Sequence, residues 1–149
     1  MTFWQRLANS EAPAAALVIR LLVGAVFFFE GVKKFLFVEQ WGAGRFARIG
    51  IPAPHIMGPF VGVVEIVCGL LLLAGLLTRL ASILLIFDIS VAIASTKIPI
   101  LLKAGFWPME AEARTDYSML LGLIFLLVVG AGAWSLDVRL GSSRRQIHE

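Results

Sequence analysis

Four long apolar runs organise this chain, roughly 14–34, 58–77, 80–98 and 117–134, with short polar stretches between them. At ~20 residues to cross the hydrocarbon of a bilayer, each run is long enough to form a spanning helix. Within the runs, small and polar residues recur at steps of three and four, which keeps them on one stripe of a helix. The stripes read Arg20, Gly24, Phe27, Gly31 and Lys34; then Gly58, Gly62, Glu65 and Gly69; then Ala81, Asp88, Ala92 and Ser95; then Thr115, Ser118, Gly122, Phe125, Val129 and Gly132. Small residues let backbones approach where lipid supplies no hydrophobic drive, and a repeat near 3.5 favours left-handed antiparallel packing. The pattern predicts an all-α integral membrane protein: an antiparallel four-helix bundle forming a single domain over residues 1–149.

The connections refine that picture. Phe35 to Ile49 mixes Phe37, Trp41 and Phe46 with Glu39, Arg45 and Arg48, too short and polar to cross, and reads as an interfacial helix between the first and second spans. Gly50, Pro52 and Pro54 end it. Leu77-Thr78-Arg79 joins the second and third spans so tightly that they form a hairpin, with Thr78 as the expected cap. Pro99 to Thr115 reads as an interfacial loop, with Glu110, Glu112 and Asp116 a solvated acidic helix start. Residues Met1 to Glu11, with Trp4 and Arg6, form a polar lead-in, and the tail from Ser135 is polar. Four crossings put both termini on one side, and Arg6, Arg79 and the tail arginines favour the cytoplasm.

Composition removes several functions. With 59% hydrophobic residues in 149, little polar sequence is left for a second, soluble domain. The net charge of +3 comes from basic residues scattered at helix ends, where they meet lipid headgroups rather than nucleic acid. The lone cysteine, Cys68, excludes dithiol chemistry within the chain and reads as a small buried hydrophobe. Neither histidine, His55 or His148, falls in a span, so no ligand set for haem or another metal is evident. The Gly58–Gly62 GxxxG match fits packing within the chain better than a homo-oligomer, although a second copy stays open.

What remains is a set of charges inside apolar runs, where each costs about 2.5–3.5 kcal/mol to insert and must find a partner or a purpose. Depth at ~1.5 Å per residue suggests two pairings, Arg20 with Asp88 and Lys34 with Glu65, with Glu30 near the outer end. Arg20, Lys34, Glu65 and Asp88 are therefore the candidate intramembrane site. They are read either as ion pairs that fix helix register or as a polar pocket for a quinone, another small polar ligand or a proton. Glu65 is the sharper candidate and Asp88 the next.

Arg20 with Gly24, Gly31 and Lys34, Gly50-Ile-Pro52, then Glu65, Gly69 and Gly75, then Thr78-Arg79, and finally Gly130-Ala-Gly-Ala-Trp-Ser-Leu-Asp137 follow in an order that resembles the DoxX family of small four-helix bacterial membrane proteins. The likeness runs from about Arg20 to Asp137. It implies an inner-membrane protein associated with quinol oxidation, thiosulfate oxidation through quinone, or defence against oxidative and electrophilic stress, often beside a redox partner protein. It also brings in Arg79 and Asp137 as supporting residues, while Asp88 lies outside the family's pattern. The leading expectation is a redox-associated subunit or oxidoreductase that handles quinone or supports a redox partner, with the electron-carrying group supplied from outside the chain. The alternatives are a small proton-coupled transporter, which the position of Glu30 off the stripe disfavours, and a structural or assembly subunit.

Overall fold

The computed structural model describes residues 14–145, with side chains to Leu140; the regular structure over those residues is all helical, without strands. In chain order the helices are α1 (Ala16–Leu36), the short α2 (Ala43–Arg48), α3 (Pro54–Ala74), α4 (Thr78–Ala92), α5 (Ile98–Ala104), α6 (Phe106–Val129) and α7 (Leu136–Arg145), with a π-helical segment, Ile93–Lys97, fusing α4 to α5. Two helical stretches are long and apolar enough to cross a membrane, Pro54–Ala74 and the continuous Thr78–Ala104. The first and fourth long helices match them in length but carry more charge: Arg20, Glu30, Lys33 and Lys34 on α1, and Glu110, Glu112, Arg114 and Asp116 on α6. The lead-in containing Trp4 and Arg6, the end of the tail and His148 lie outside the described residues.

α1 and α3 meet through glycine. A Cβ on Gly31 would sit 2.7 Å from the Gly62 carbonyl oxygen, and one on Gly69 would sit 2.9 Å from that of Gly24. Pairing 24 with 69 and 31 with 62 makes the helices antiparallel and brings their backbones into direct contact, the close approach that small-residue stripes permit. The GxxxG glycines are consumed in this internal packing, Gly62 against Gly31 and Phe35, and Gly58 against Ala43. The stripes expected on these helices are the buried ones: Arg20, Gly24, Phe27 and Gly31 on α1, and Gly58, Gly62, Glu65 and Gly69 on α3.

The other two stripes are displaced. On α4 the buried residues are Thr78, Ala81, Ser82, Leu85 and Ile89, and Asp88 is half-buried at the margin. On α6 they are Ala113, Met119, Leu123 and Leu126, whereas Thr115, Ser118 and Phe125 of the expected stripe are exposed. α6 packs through large side chains, and only Gly122, facing Val23, keeps the expected close approach. Val23, Phe27, Cys68, Leu72, Leu85, Ile89, Met119, Leu123 and Leu126, drawn from all four long helices, form one apolar interior. Outside it, Phe29, Phe60, Phe87, Leu121 and Val128 each expose more than half their surface. So much outward apolar area suits lipid rather than water.

Element ends depart from the sequence reading in three places. α3 begins at Pro54, four residues before the expected start, because proline is tolerated in the first turn, where its missing N–H has no intrahelical partner. It ends in a Schellman arrangement: Gly75 has φ +67°, its N–H donates to the Leu72 carbonyl, and the Leu76 N–H donates to that of Leu71. The expected loop over 99–115 is helix, interrupted only at Gly105 (φ +89°). Pro99 lies just beyond the wide π turn, which supplies the local rearrangement that proline demands. The last run ends early: Gly130 and Gly132 take φ +90° and +84°, so α6 stops at Val129 and residues 130–135 form a loop.

Candidate functional site

Three of the four candidate residues come together. Lys34 Nζ on α1 lies 2.5 Å from Glu65 Oε2 on α3, with side chains 12% and 6% exposed. Cα–Cβ bonds lean toward the N-terminus of their own helix. On antiparallel neighbours this tilts Lys34 and Glu65 toward each other. Asp88 on α4 approaches the same point, within side-chain hydrogen-bonding reach of Glu65 and electrostatic reach of Lys34, and Cys68 lies beside it. One ammonium thus faces two carboxyl groups between three helices.

The depth of this cluster follows from the hairpin. Glu65 stands ten residues before Gly75 and Asp88 ten after Thr78, so each is about 15 Å from the turn and the two are level. The expected Arg20–Asp88 pair is absent for the same reason. Antiparallel register places Arg20 beside Gly75, at the turn, a full ten residues of rise from Asp88.

Arg20 instead binds the loop that follows α6. Its Nη1 donates to the Ala131 carbonyl at 2.6 Å and its Nη2 to that of Trp134 at 2.7 Å. Asp137 closes the same assembly: Oδ1 accepts from the Leu77 N–H at 2.8 Å, Oδ2 accepts from the Thr78 N–H at 3.1 Å, and the Asp137 N–H donates to the Gly75 carbonyl at 2.9 Å. The α4 N-terminus is therefore capped by a carboxylate about sixty residues away, where the sequence suggested Thr78; an anion there also meets the positive end of the helix dipole. Arg79 donates to the Val128 carbonyl at 3.3 Å. Arg20, Arg79 and Asp137 thus form a clasp at the turn end, apart from the Lys34 cluster.

Glu30 is also separate, paired with Lys33 at 2.6 Å one turn along α1, with both side chains over a third exposed. Trp41 carries Lys33 Nζ 4.7 Å and the Arg45 guanidinium 5.0 Å from its ring centre, so it serves as a cation platform.

A further buried pair has no signature in the sequence. Lys97 Nζ lies 3.0 Å from Asp116 Oδ2, with Lys97 only 8% exposed. In the sequence Asp116 reads as part of a solvated acidic helix start, and Lys97 falls at the end of the third apolar run. The π turn rotates Lys97 inward, and the early start of α6 brings Asp116 level with it; neither event has a hydropathy signature. Among the described residues, no group of three or more His, Cys, Asp or Glu gathers to hold a metal ion.

The DoxX family model matches residues 15–98. The uncharacterized membrane protein Rv3486 of Mycobacterium tuberculosis is 54% identical over 143 residues, covering 92% of this chain and 88% of its own. A Bacillus subtilis protein named "Putative oxidoreductase CatD" is 32% identical over 129 residues, covering 87% and 89% respectively. No solved structure matches.

Proposed function

The chain belongs to the DoxX family, and from that premise we propose that it is a multi-pass inner-membrane protein in which the Lys34–Glu65–Asp88 cluster handles the protons of a quinone or quinol on behalf of a redox partner. The observation that carries this reading is one ammonium and two carboxyl groups converging between apolar helices. Intramembrane ionisable groups are costly enough to imply a use.

The membrane arrangement is read from packing. If α3 and α4 cross as a hairpin, α1, antiparallel to α3 along its glycine stripe, occupies the same slab, and α6 completes a four-helix bundle through the shared interior. Glu30 and Lys33 neutralise each other near the α1 end, which lowers the cost of that crossing. α2 then lies at the outer interface and both termini are cytoplasmic, the sidedness favoured by Arg79 and Arg139.

Oxidation of a quinol to a quinone releases two electrons and two protons. In this reading a carboxylate of the Glu65–Asp88 pair accepts the proton of one quinol hydroxyl, Lys34 donates a hydrogen bond to the carbonyl oxygen formed there, the proton of the opposite hydroxyl leaves to water, and both electrons pass to an acceptor held by a partner protein. The name of the Bacillus relative supports a redox setting. Two carboxyls beside one cation also form a set that can hold or release a proton with little change in its surroundings, because the ammonium balances only one of them.

The test is equilibrium titration of the purified protein with ubiquinone and menaquinone analogues, followed by fluorescence quenching. Saturable binding that weakens at least tenfold in Glu65→Gln and Asp88→Asn supports the reading. Absence of binding, or binding untouched by either substitution, removes it. A purely structural role is favoured by the position of the pair between glycine-packed helices, and it predicts that Lys34→Met/Glu65→Leu retains whatever activity the wild type supports.

A further inference from the structure

A second site lies away from the Lys34 cluster. A cleft of about 570 Å³ opens between the α1–α2 connection, α2, the π turn and α5. Its polar wall carries Arg45, Arg48 and Lys103 with Gln40, Ser95 and Thr96, while Ile49 and Ile100 supply apolar surface. Lys34, Glu65 and Asp88 do not line it.

The charge here is one-sided. Among the described residues no carboxylate pairs with Arg45, Arg48 or Lys103, although Glu30, Glu65 and Asp116 each pair with a lysine elsewhere. Two of the three cations are held in place: Arg48 donates to the Glu39 and Gln40 carbonyls at 2.8 and 3.2 Å, and Arg45 rests over Trp41. Held guanidiniums retain unused N–H groups in the geometry that matches phosphate oxygens. Ser95 and Thr96 spend their hydroxyl protons on the Val91 and Ala92 carbonyls, leaving oxygen lone pairs that accept from an alcohol.

We infer that this cleft binds the headgroup of an anionic phospholipid, its phosphodiester on Arg45, Arg48 and Lys103 and its polyol hydroxyls on Ser95 and Thr96. The acyl chains have a path along the exposed Leu36, Phe37, Leu101 and Leu102, which border the cleft in sequence. Trp41 at its wall suits the headgroup level, where tryptophan is enriched. A zwitterionic choline headgroup fits poorly, because its quaternary ammonium meets three cations and brings no hydroxyl to donate. A lipid is favoured over a soluble anion by this continuity of polar wall and outward apolar surface. The inference requires only that the chain resides in a membrane, so it stands or falls separately from quinone chemistry.

The experiment is native mass spectrometry of the full chain released from nanodiscs of equal parts phosphatidylglycerol and phosphatidylcholine. Wild type is expected to retain phosphatidylglycerol preferentially, and each of Arg45→Gln, Arg48→Gln and Lys103→Gln to lower that preference about fivefold, the effect of one basic residue near an anionic headgroup. Arg114→Gln, whose side chain bonds the Ala111 carbonyl on its own helix, is expected to change nothing. Lys103→Gln guards against misfolding, since among the described residues no hydrogen bond or ion pair ties that side chain to the fold. Equal retention of the two lipids, or a preference that survives the triple substitution, overturns the inference. Displacement of phosphatidylglycerol by inorganic phosphate at comparable concentration also overturns it, by assigning the cleft to a soluble anion.

Discussion

Replacing members of the Lys34–Glu65–Asp88 cluster is expected to destabilise the protein unequally. Removing one partner of a buried ion pair costs about 3–5 kcal/mol, because it strands an uncompensated charge. Lys34→Met removes the cation from two adjacent carboxyls and should fall in that full range. Glu65→Gln removes one acceptor, but Asp88 remains within electrostatic reach of Lys34 and takes over the pairing, so the loss should be roughly 1–3 kcal/mol, that of a single charged hydrogen bond. Lys34→Met/Glu65→Gln should recover most of the Lys34→Met deficit, since only one carboxyl is left and it can neutralise by taking up a proton. Reversible unfolding in mild detergent, followed by tryptophan fluorescence and circular dichroism, measures all three on one scale. Equal losses for Lys34→Met and Glu65→Gln would show that Asp88 does not share the lysine, and the three-residue site would reduce to an isolated pair.

Other expectations concern the frame around the site. Asp137→Ala removes the acceptor for two N–H groups at the start of α4 and should cost about 2–3 kcal/mol, combining a lost cap with a stranded buried donor, while Asp137→Asn should cost less; thermal melts and amide exchange at Leu77 and Thr78 report it. Gly31→Ala puts a Cβ 2.7 Å from the Gly62 carbonyl oxygen, so overpacking of about 1–3 kcal/mol should outweigh the ~1 kcal/mol gain in helix propensity, and a rise in melting temperature would refute backbone contact between α1 and α3. Gly50→Ala meets nothing within 4 Å and should cost only about 1–2 kcal/mol for its left-handed backbone (φ +78°), a contrast the same melts resolve. Asp116→Asn should destabilise by several kcal/mol if Lys97 is held inward, and Lys97 would then become reactive toward water-soluble amine reagents.

The value of the sequence reading depended on the range over which each signal operates. Glycines at 24, 31, 62 and 69 mark the α1–α3 contact directly, because a close backbone approach excludes every larger side chain and so leaves its own spacing in the chain. The Lys34–Glu65 pair followed from that stripe and from depth. The Arg20–Asp88 pairing does not form because Arg20 lies at the turn end, ten residues of rise from Asp88, where the Ala131 and Trp134 carbonyls of a distant loop accept from its guanidinium instead. On α6 the small-residue stripe from Thr115 to Gly132 misleads, since Met119, Leu123 and Leu126 pack inward while Thr115, Ser118 and Phe125 are exposed.

By itself the sequence determined that the chain is helical and membrane-resident, that stripes of small residues are available for helix packing, and that ionisable groups fall inside apolar runs; each is a property of composition or of a local period. Only tertiary structure decided that Asp88 joins Lys34 and Glu65, that Lys97 turns inward to Asp116, and that Asp137 caps a helix about sixty residues upstream of it. Those contacts depend on where distant segments stop and how they are rotated, through a π turn, two loop glycines and the register of a hairpin. Helical periodicity fixes the faces of one element but not its angle toward another.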